Sequence, residues 1–316
     1  MAVAGVLLKR SVSVVPVLAV VALIAFLLLR FSSGDPVAQL AGDNADPAAI
    51  VAIRARLGLD QPLPMQFLHW LWRLLQGDLG TSIVSNQPVS TLIAQRIGPT
   101  LSVSITTIVF SVLVGVPIGV FAAWRRGGWL DRFAMWTSVT GFAVPTFAIG
   151  YFWIYLLSMQ LGLFPVQGYA PLSAGLGVFL WHLALPTLTL SLVYVALIAR
   201  VARTSLLEVL NEDFVRTARA KGLPERIVVF KHALRNAAVP IVSIVGIGVA
   251  LLIGGVVVTE SVFNLPGLGR LTIDSVLARD YPVIQGIIMV FGGAYVAINL
   301  LVDISYSFFD PRISAQ

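Results

Sequence analysis

Six stretches of this chain run apolar for about 20 residues each, at roughly 11–29, 99–123, 133–159, 178–199, 237–258 and 282–304. That is the length needed to cross a hydrocarbon core of about 30 Å. Nothing else in the sequence constrains the fold as tightly. In lipid every backbone N–H and C=O must be paired within the protein, which leaves helices or a closed barrel. Barrel strands alternate apolar and polar residues over about ten positions, and these runs do not alternate. An all-α integral membrane protein with six transmembrane helices is expected. Pro16, Pro117, Pro145, Pro186 and Pro240 fall inside the runs, where neighbouring helices tolerate them as kinks.

Composition agrees. Of 316 residues, 58% are hydrophobic and 11% charged, against about a quarter charged in soluble domains. A net charge of +6 would suggest nucleic acid in a soluble protein, but here basic loops set orientation, and no nucleic-acid partner is expected. The chain has no cysteine, which excludes disulfides and thiol chemistry. Lys9 and Arg10 precede the first run, which is longer than the about 7–15 apolar residues of a signal peptide. It is expected to be retained as a span.

With the N-terminus inside, the cytoplasmic segments hold fourteen of the twenty-one Lys and Arg residues. The other side holds seven, Arg30, Arg54, Arg56, Arg73, Arg96, Arg270 and Arg279. Five of those seven lie in the long external loop 30–98, where charge weighs less on topology. The expectation is N-in and C-in. Within that loop, "MQFLHWLWRLLQ" (65–76) is too short to span and reads as an amphipathic helix lying at the interface or docked on the bundle.

One segment breaks the apolar pattern. "EDFVRTARAKGLPERIVVFKHALRN" (212–236) holds nine of the thirty-six charged side chains, six of them basic. The spacing predicts a helix over 204–221, stopped by Gly222 and Pro224, and a second helix from about Glu225 towards Pro240. Leu206, Leu210, Phe214 and Ala218 would form one apolar stripe. Three roles fit: a topology-setting basic loop, a helix on anionic lipid, or a docking knob for a cytoplasmic protein. For the last, Ala218, Ala220 and Gly222 would admit a close backbone approach while the flanking cations steer.

The chain carries no G-x-x-x-x-G-K-[ST], H-E-x-x-H or G-x-S-x-G motif, so no phosphate loop, zinc-protease site or serine elbow is expected. No catalytic, metal or cofactor site is expected in it. A secondary transporter or channel would place ionisable groups mid-membrane. Here only Asp303 approaches that description, near the inner end of the sixth run. Hydroxyls at Thr106, Thr140, Thr187 and Ser243 could line a polar path or bond back to their own helices. His182 reads as an interfacial, hydrogen-bonded histidine, and Gly115-x-x-x-Gly119 as a close helix contact.

The island "EDFVRTARAKGL…HALRNAAVPIV" resembles the cytoplasmic "EAA" loop of ABC-importer permeases, in the form carried by dipeptide, oligopeptide and nickel importers. The resemblance extends over nearly the whole chain. It includes "GDPV" (34–37), "LGLDQP" (57–62), "GDLGTS" (77–82), "ESVFNLPGLGR" (260–270), "RDYPVIQG" (279–286), "NLLVDISY" (299–306) and the terminal "DPRI". Arg216, Thr217 and Ala218 stand where the wider superfamily has Glu-Ala-Ala, as is similar to the peptide subclass.

The resemblance implies a type I ABC-importer permease in the bacterial inner membrane. It implies a second homologous permease, two cytoplasmic ATPases carrying ATP and Mg, and an extracytoplasmic peptide-binding protein. Di- or oligopeptides are the implied cargo, with nickel chelates and glutathione as alternatives. Phe214, Val215, Arg216, Thr217, Ala218, Arg219, Ala220, Lys221, Gly222 and Leu223 would form the ATPase-coupling helix. The binding protein or an external gate would engage Trp70, Trp72, Asp78, Glu260, Phe263, Pro266 and Asp280.

Overall fold

A computed structural model describes residues 2–31 and 60–309, without the side chains of residues 2–13, 29–31, 139, 140, 142, 303 and 305–309. Motifs 34–37 and "DPRI", residues 57–59 of the 57–62 motif, and the Thr140 and Asp303 side chains therefore lie outside the described residues. The described residues are almost wholly helical. In chain order they form α1 (Ala2–Phe31), α2 (Leu63–Leu75), α3 (Val89–Trp124), α4 (Trp129–Ala143), α5 (Thr146–Trp153), α6 (Leu176–Leu210), α7 (Asp213–Ala220), α8 (Ala238–Val262), α9 (Leu268–Leu277) and α10 (Tyr281–Phe309).

Four of the described helices, α3, α6, α8 and residues Tyr281–Val302 of α10, are long and apolar enough to cross a membrane; Val14–Leu28 of α1 is a shorter apolar helix. The run 133–159, expected as one span, is instead broken. α4 ends at Ala143, and Pro145 adopts an extended ψ of 135° before α5 begins. Proline disfavours helical backbone in the residue ahead of it, here Val144, so the chain stops one helix and starts another. A π-helical segment, Ile154–Gln160, continues from α5. Pro99, Pro117 and Pro186, by contrast, sit within continuous helices.

The chain divides into two compact units. The larger holds residues 96–271, together with both chain ends. Its centre is α6, packed against α3, α4 and α8 by small residues that let helix backbones meet, the usual solution where lipid removes the hydrophobic drive for association. A Cβ on Gly115 would lie 3.1 Å from Ile198, and one on Gly119 would lie 2.5 Å from the Ala199 carbonyl oxygen. The Gly-x-x-x-Gly contact expected from the sequence is thus made, between α3 and α6. On the other side Gly248 faces the Tyr194 ring and Gly255 faces Leu190. Val103, Leu183, Leu185, Leu190, Tyr194, Leu252, Val256 and Phe263 form one apolar cluster, and Val120, Ala202, Leu206, Val229, Ala233 and Ile241 a second.

The smaller unit holds residues 11–95 and 272–294. Here α2 is helical and docked, as the amphipathic pattern predicts. Phe67 meets Phe26 of α1 edge-on at 5.3 Å, and Trp70 lies 5.9 Å from the same ring. Gln285 of α10 donates to the Ala25 carbonyl at 3.2 Å, and Gly286 lets α10 approach Val89.

Candidate functional site

The basic island is built differently from the helix pair expected. α6 runs through to Leu210, where Asn211 bonds its side-chain amide back to the Leu207 carbonyl at 2.9 Å. Glu212 is extended, with ψ 151°, and α7 restarts at Asp213. The single helix over 204–221 is thus two: the Asn211 amide bonds a carbonyl in the last turn of α6, and the Glu212 carbonyl accepts the Val215 and Arg216 N–H groups that open α7. The apolar stripe breaks with it. Leu206 is buried, Phe214 is exposed, and the residue that anchors α7 is the fully buried Val215.

The stop of α7 follows the expected glycine cap in detail. Gly222 has φ +78°, a left-handed conformation that costs glycine little. Its N–H bonds the Arg219 carbonyl at 2.9 Å and the Leu223 N–H bonds the Ala218 carbonyl at 3.3 Å, the two bonds of a Schellman motif. Arg219 then reaches across the turn to Glu225, with Nη2 donating at 2.6 Å and Nε at 3.2 Å. The Arg219 hydrogen bond pulls the Glu225 carboxyl below its ordinary value.

The second expected helix is also irregular. Residues 225–236 comprise a short α-turn, a π-helical stretch Val228–Ala233 and a further turn, with a joint at Ala237 before α8. The π stretch buries Val228, Val229 and Ala233 and sets Phe230 edge-on to Trp124, 5.8 Å away.

The residues expected to contact an ATPase lie on α7 and in the turn that ends it. Arg216, Thr217, Arg219, Ala220, Lys221 and Gly222 are exposed, while Ala218 and Leu223 are half-buried. Arg216 pairs with Asp213 at 3.4 Å, and Thr217 bonds the Asp213 carbonyl. The element is thus a stiff, exposed stub, held at its base by Val215 and at its tip by the Gly222 turn.

The outer-loop residues divide into exposed and buried groups. Trp72, Asp78 and Pro266 are exposed and Trp70 is half-buried. Asp78 accepts the Arg73 Nε–H and the Gly80 N–H, each at 2.8 Å, and the Arg73 bond lowers its pKa.

Glu260, Phe263 and Asp280 are buried, and none presents a surface to a docking protein in this conformation. Glu260 ends inside its own motif. Its Oε1 accepts the Thr100 hydroxyl at 2.6 Å and its Oε2 the Arg270 N–H at 3.0 Å, while Thr100 accepts the Leu268 N–H at 2.7 Å. The carboxylate therefore sits at the N-terminus of α9, where helix polarity favours a negative charge. Gly267 has to be glycine because a Cβ there would overlap that carboxylate. In the other unit Asp280 accepts the Ser82 hydroxyl and, at 3.1 Å, the Ile83 N–H, joining "GDLGTS" to "RDYPVIQG".

Of the hydroxyls proposed for a path, the described ones, Thr106, Thr187 and Ser243, are hydrogen-bonded within the protein. Thr106 and Thr187 bond each other at 2.8 Å, on the wall of an apolar cleft of about 460 Å³ between α3 and α6. Ser243 bonds back to the Val239 carbonyl, and His182 to that of Val178 at 2.9 Å. Sequence reasoning missed one pairing altogether. Asp131, buried in the first turn of α4, accepts both Nε and Nη2 of Arg203 on α6 and the Gly127 N–H at 2.8 Å. The partners are far apart in sequence, and Arg203 entered only as one of the topology-setting charges.

Long apolar helices packed through glycines, with a short exposed helix between α6 and α8, define a polytopic membrane protein. Residues 115–315 match the family described as "Binding-protein-dependent transport system inner membrane component", and residues 3–104 its N-terminal counterpart. The chain belongs to that family, the ABC-importer permeases, and is a multi-pass protein of the bacterial inner membrane.

Among its relatives, it is 50% identical to the probable peptide ABC transporter permease protein y4tP of Sinorhizobium fredii, over 97% of this chain and 98% of that one. It is 45% identical to the glutathione transport system permease protein GsiC of Salmonella typhimurium, over 97% of each. The fold matches the MetNI methionine ABC transporter in an inward-facing conformation, with a TM-score of 0.59 over 70% of this chain and 97% of that one, at 18% identity.

Proposed function

We propose that this chain is one of two homologous permeases that form the translocation path of a short-peptide importer. An extracytoplasmic binding protein delivers the cargo, and two cytoplasmic ATPases, which bind the ATP and Mg, drive transport. Six spans with both termini inside complete the arrangement, supported by the fourteen-to-seven division of basic residues. The cargo reading rests on the names of the relatives; glutathione, itself a tripeptide, falls within the same class.

The observation that carries the reading is the construction of α7. Val215 seats it, the Gly222 turn ends it, and the Arg219–Glu225 pair braces that turn. A groove on an ATPase that grips such a stub can move α6 and α8 without bending it. Energy transfer of this kind is mechanical and asks for no reactive side chain. Outside, Trp72, Asp78 and Pro266 are the exposed residues offered to a binding protein.

Ala218→Trp places a large ring on the half-buried side of the stub. Membrane insertion should stay normal, while co-purification with the ATPases or ATP-driven uptake is lost. Wild-type uptake by this variant would refute the docking role of α7.

A further inference from the structure

α4 has two faces. Asp131, Ala134 and Ser138 are buried, and Ser138 donates to the Ala196 carbonyl of α6 at 3.1 Å. The other face carries Trp129, Arg132, Phe133 and Trp136, one helical stripe by spacing. Its rings are largely exposed: Trp129 is 74% exposed, Phe133 53% and Trp136 72%. Two more cations, Arg125 and Arg126, stand exposed in the turn just ahead of it. None of Arg125, Arg126 and Arg132 makes an ion pair or a side-chain hydrogen bond among the described residues. The one nearby carboxylate, Asp131, is turned to the opposite face and held by Arg203.

We propose that this surface is a binding site for anionic phospholipid, with the headgroup phosphate held by Arg125, Arg126 and Arg132 and the glycerol–acyl boundary packed on Trp129, Phe133 and Trp136. Two features select that occupant. Arg126 shares the field of Asp131, but that carboxylate is already hydrogen-bonded to Arg203, so the three exposed arginines carry an excess positive charge that an external anion complements, and guanidinium geometry suits phosphate. Indole rings on the same stripe belong at the headgroup level of a bilayer, one end apolar and the other wet. The inference rests on the cytoplasmic placement of the α3–α4 turn, the side where the leaflet is anionic.

The test uses the assembled transporter, delipidated and titrated with phosphatidylglycerol or phosphatidylcholine under native mass spectrometry. Wild type should retain phosphatidylglycerol in preference. The triple variant Arg125→Gln, Arg126→Gln, Arg132→Gln should lose on the order of a hundredfold of that preference, at about fivefold for each cation. Trp129→Ala with Trp136→Ala should weaken both lipids alike.

An unchanged phosphatidylglycerol preference in the arginine variant overturns the site. So does a photo-crosslinker at position 129 that captures another subunit instead of lipid. Because the chain has no cysteine, Arg126→Cys reports placement separately. Labelling of that variant from outside in right-side-out vesicles would overturn the cytoplasmic placement. Labelling only from inside, with no arginine effect, would overturn the lipid site alone.

Discussion

The seat of Glu260 makes a prediction that can be worked from its geometry. Glu260→Ala removes the acceptor for the buried Thr100 hydroxyl and the part-buried Arg270 N–H. A donor left without its partner costs about 1–3 kcal/mol, so losing the acceptor for two of them should cost on the order of 2–5 kcal/mol. Gly267→Ala should cost nearly as much by a different route, since its methyl group would occupy the carboxylate's place and force it out.

The two effects cannot add. Once Glu260 is alanine, the space is free and Gly267→Ala should cost under about 1 kcal/mol, a coupling energy of about 3 kcal/mol in a double-mutant cycle. Gly269→Ala is the control: its Cβ would lie 2.5 Å from the Val257 Cα, a backbone collision that removing Glu260 does not relieve. Reversible unfolding in mixed detergent–SDS micelles would measure the cycle. Equal costs for Gly267→Ala in both backgrounds would refute the proposed seat.

Two other substitutions bear on the helix packing. Asp131→Asn removes the partner of Arg203, whose side chain is 19% exposed, and should cost about 2–3 kcal/mol at neutral pH. The Arg203 hydrogen bonds hold the Asp131 carboxyl below its ordinary value of 3.8. The pair's contribution is therefore complete above that pH and lost as pH falls through the lower folded value. A stability–pH profile should show this acid loss in wild type and not in the variant. Gly119→Ala drives a methyl group against the Ala199 carbonyl and the Ala202 Cβ and should cost about 1–3 kcal/mol, read as a lower melting temperature on size-exclusion of the purified chain.

What the sequence disclosed depended on how locally each feature is determined. The Gly222 stop, the helix of 65–76 and the Gly115–Gly119 contact follow from residues within a turn or two of one another, and all three are present. The break at Pro145 was misread because the surrounding run is apolar enough to span regardless, and hydropathy does not register backbone geometry. Asn211 and Glu212 were hidden by strong helix formers on both sides. Glu260 and Asp280 looked like surface charges because their partners, Thr100 and Ser82, lie 160 and 198 residues away. A buried carboxylate in an apolar chain needs donors, but no short-range pattern shows where they come from.

The continuity of α6 into the island has a consequence for reach. The continuous apolar run ends near Ala199, yet the helix runs on to Leu210 without a break. At 1.5 Å per residue those added turns extend it by about 16 Å, against about 5–8 Å for one headgroup layer. With the edge of the hydrocarbon near Ala199, as the proposed six spans place it, the start of α7 would fall beyond the lipid phosphates. A water-soluble protein could then grasp it without shedding its own hydration or entering the interface.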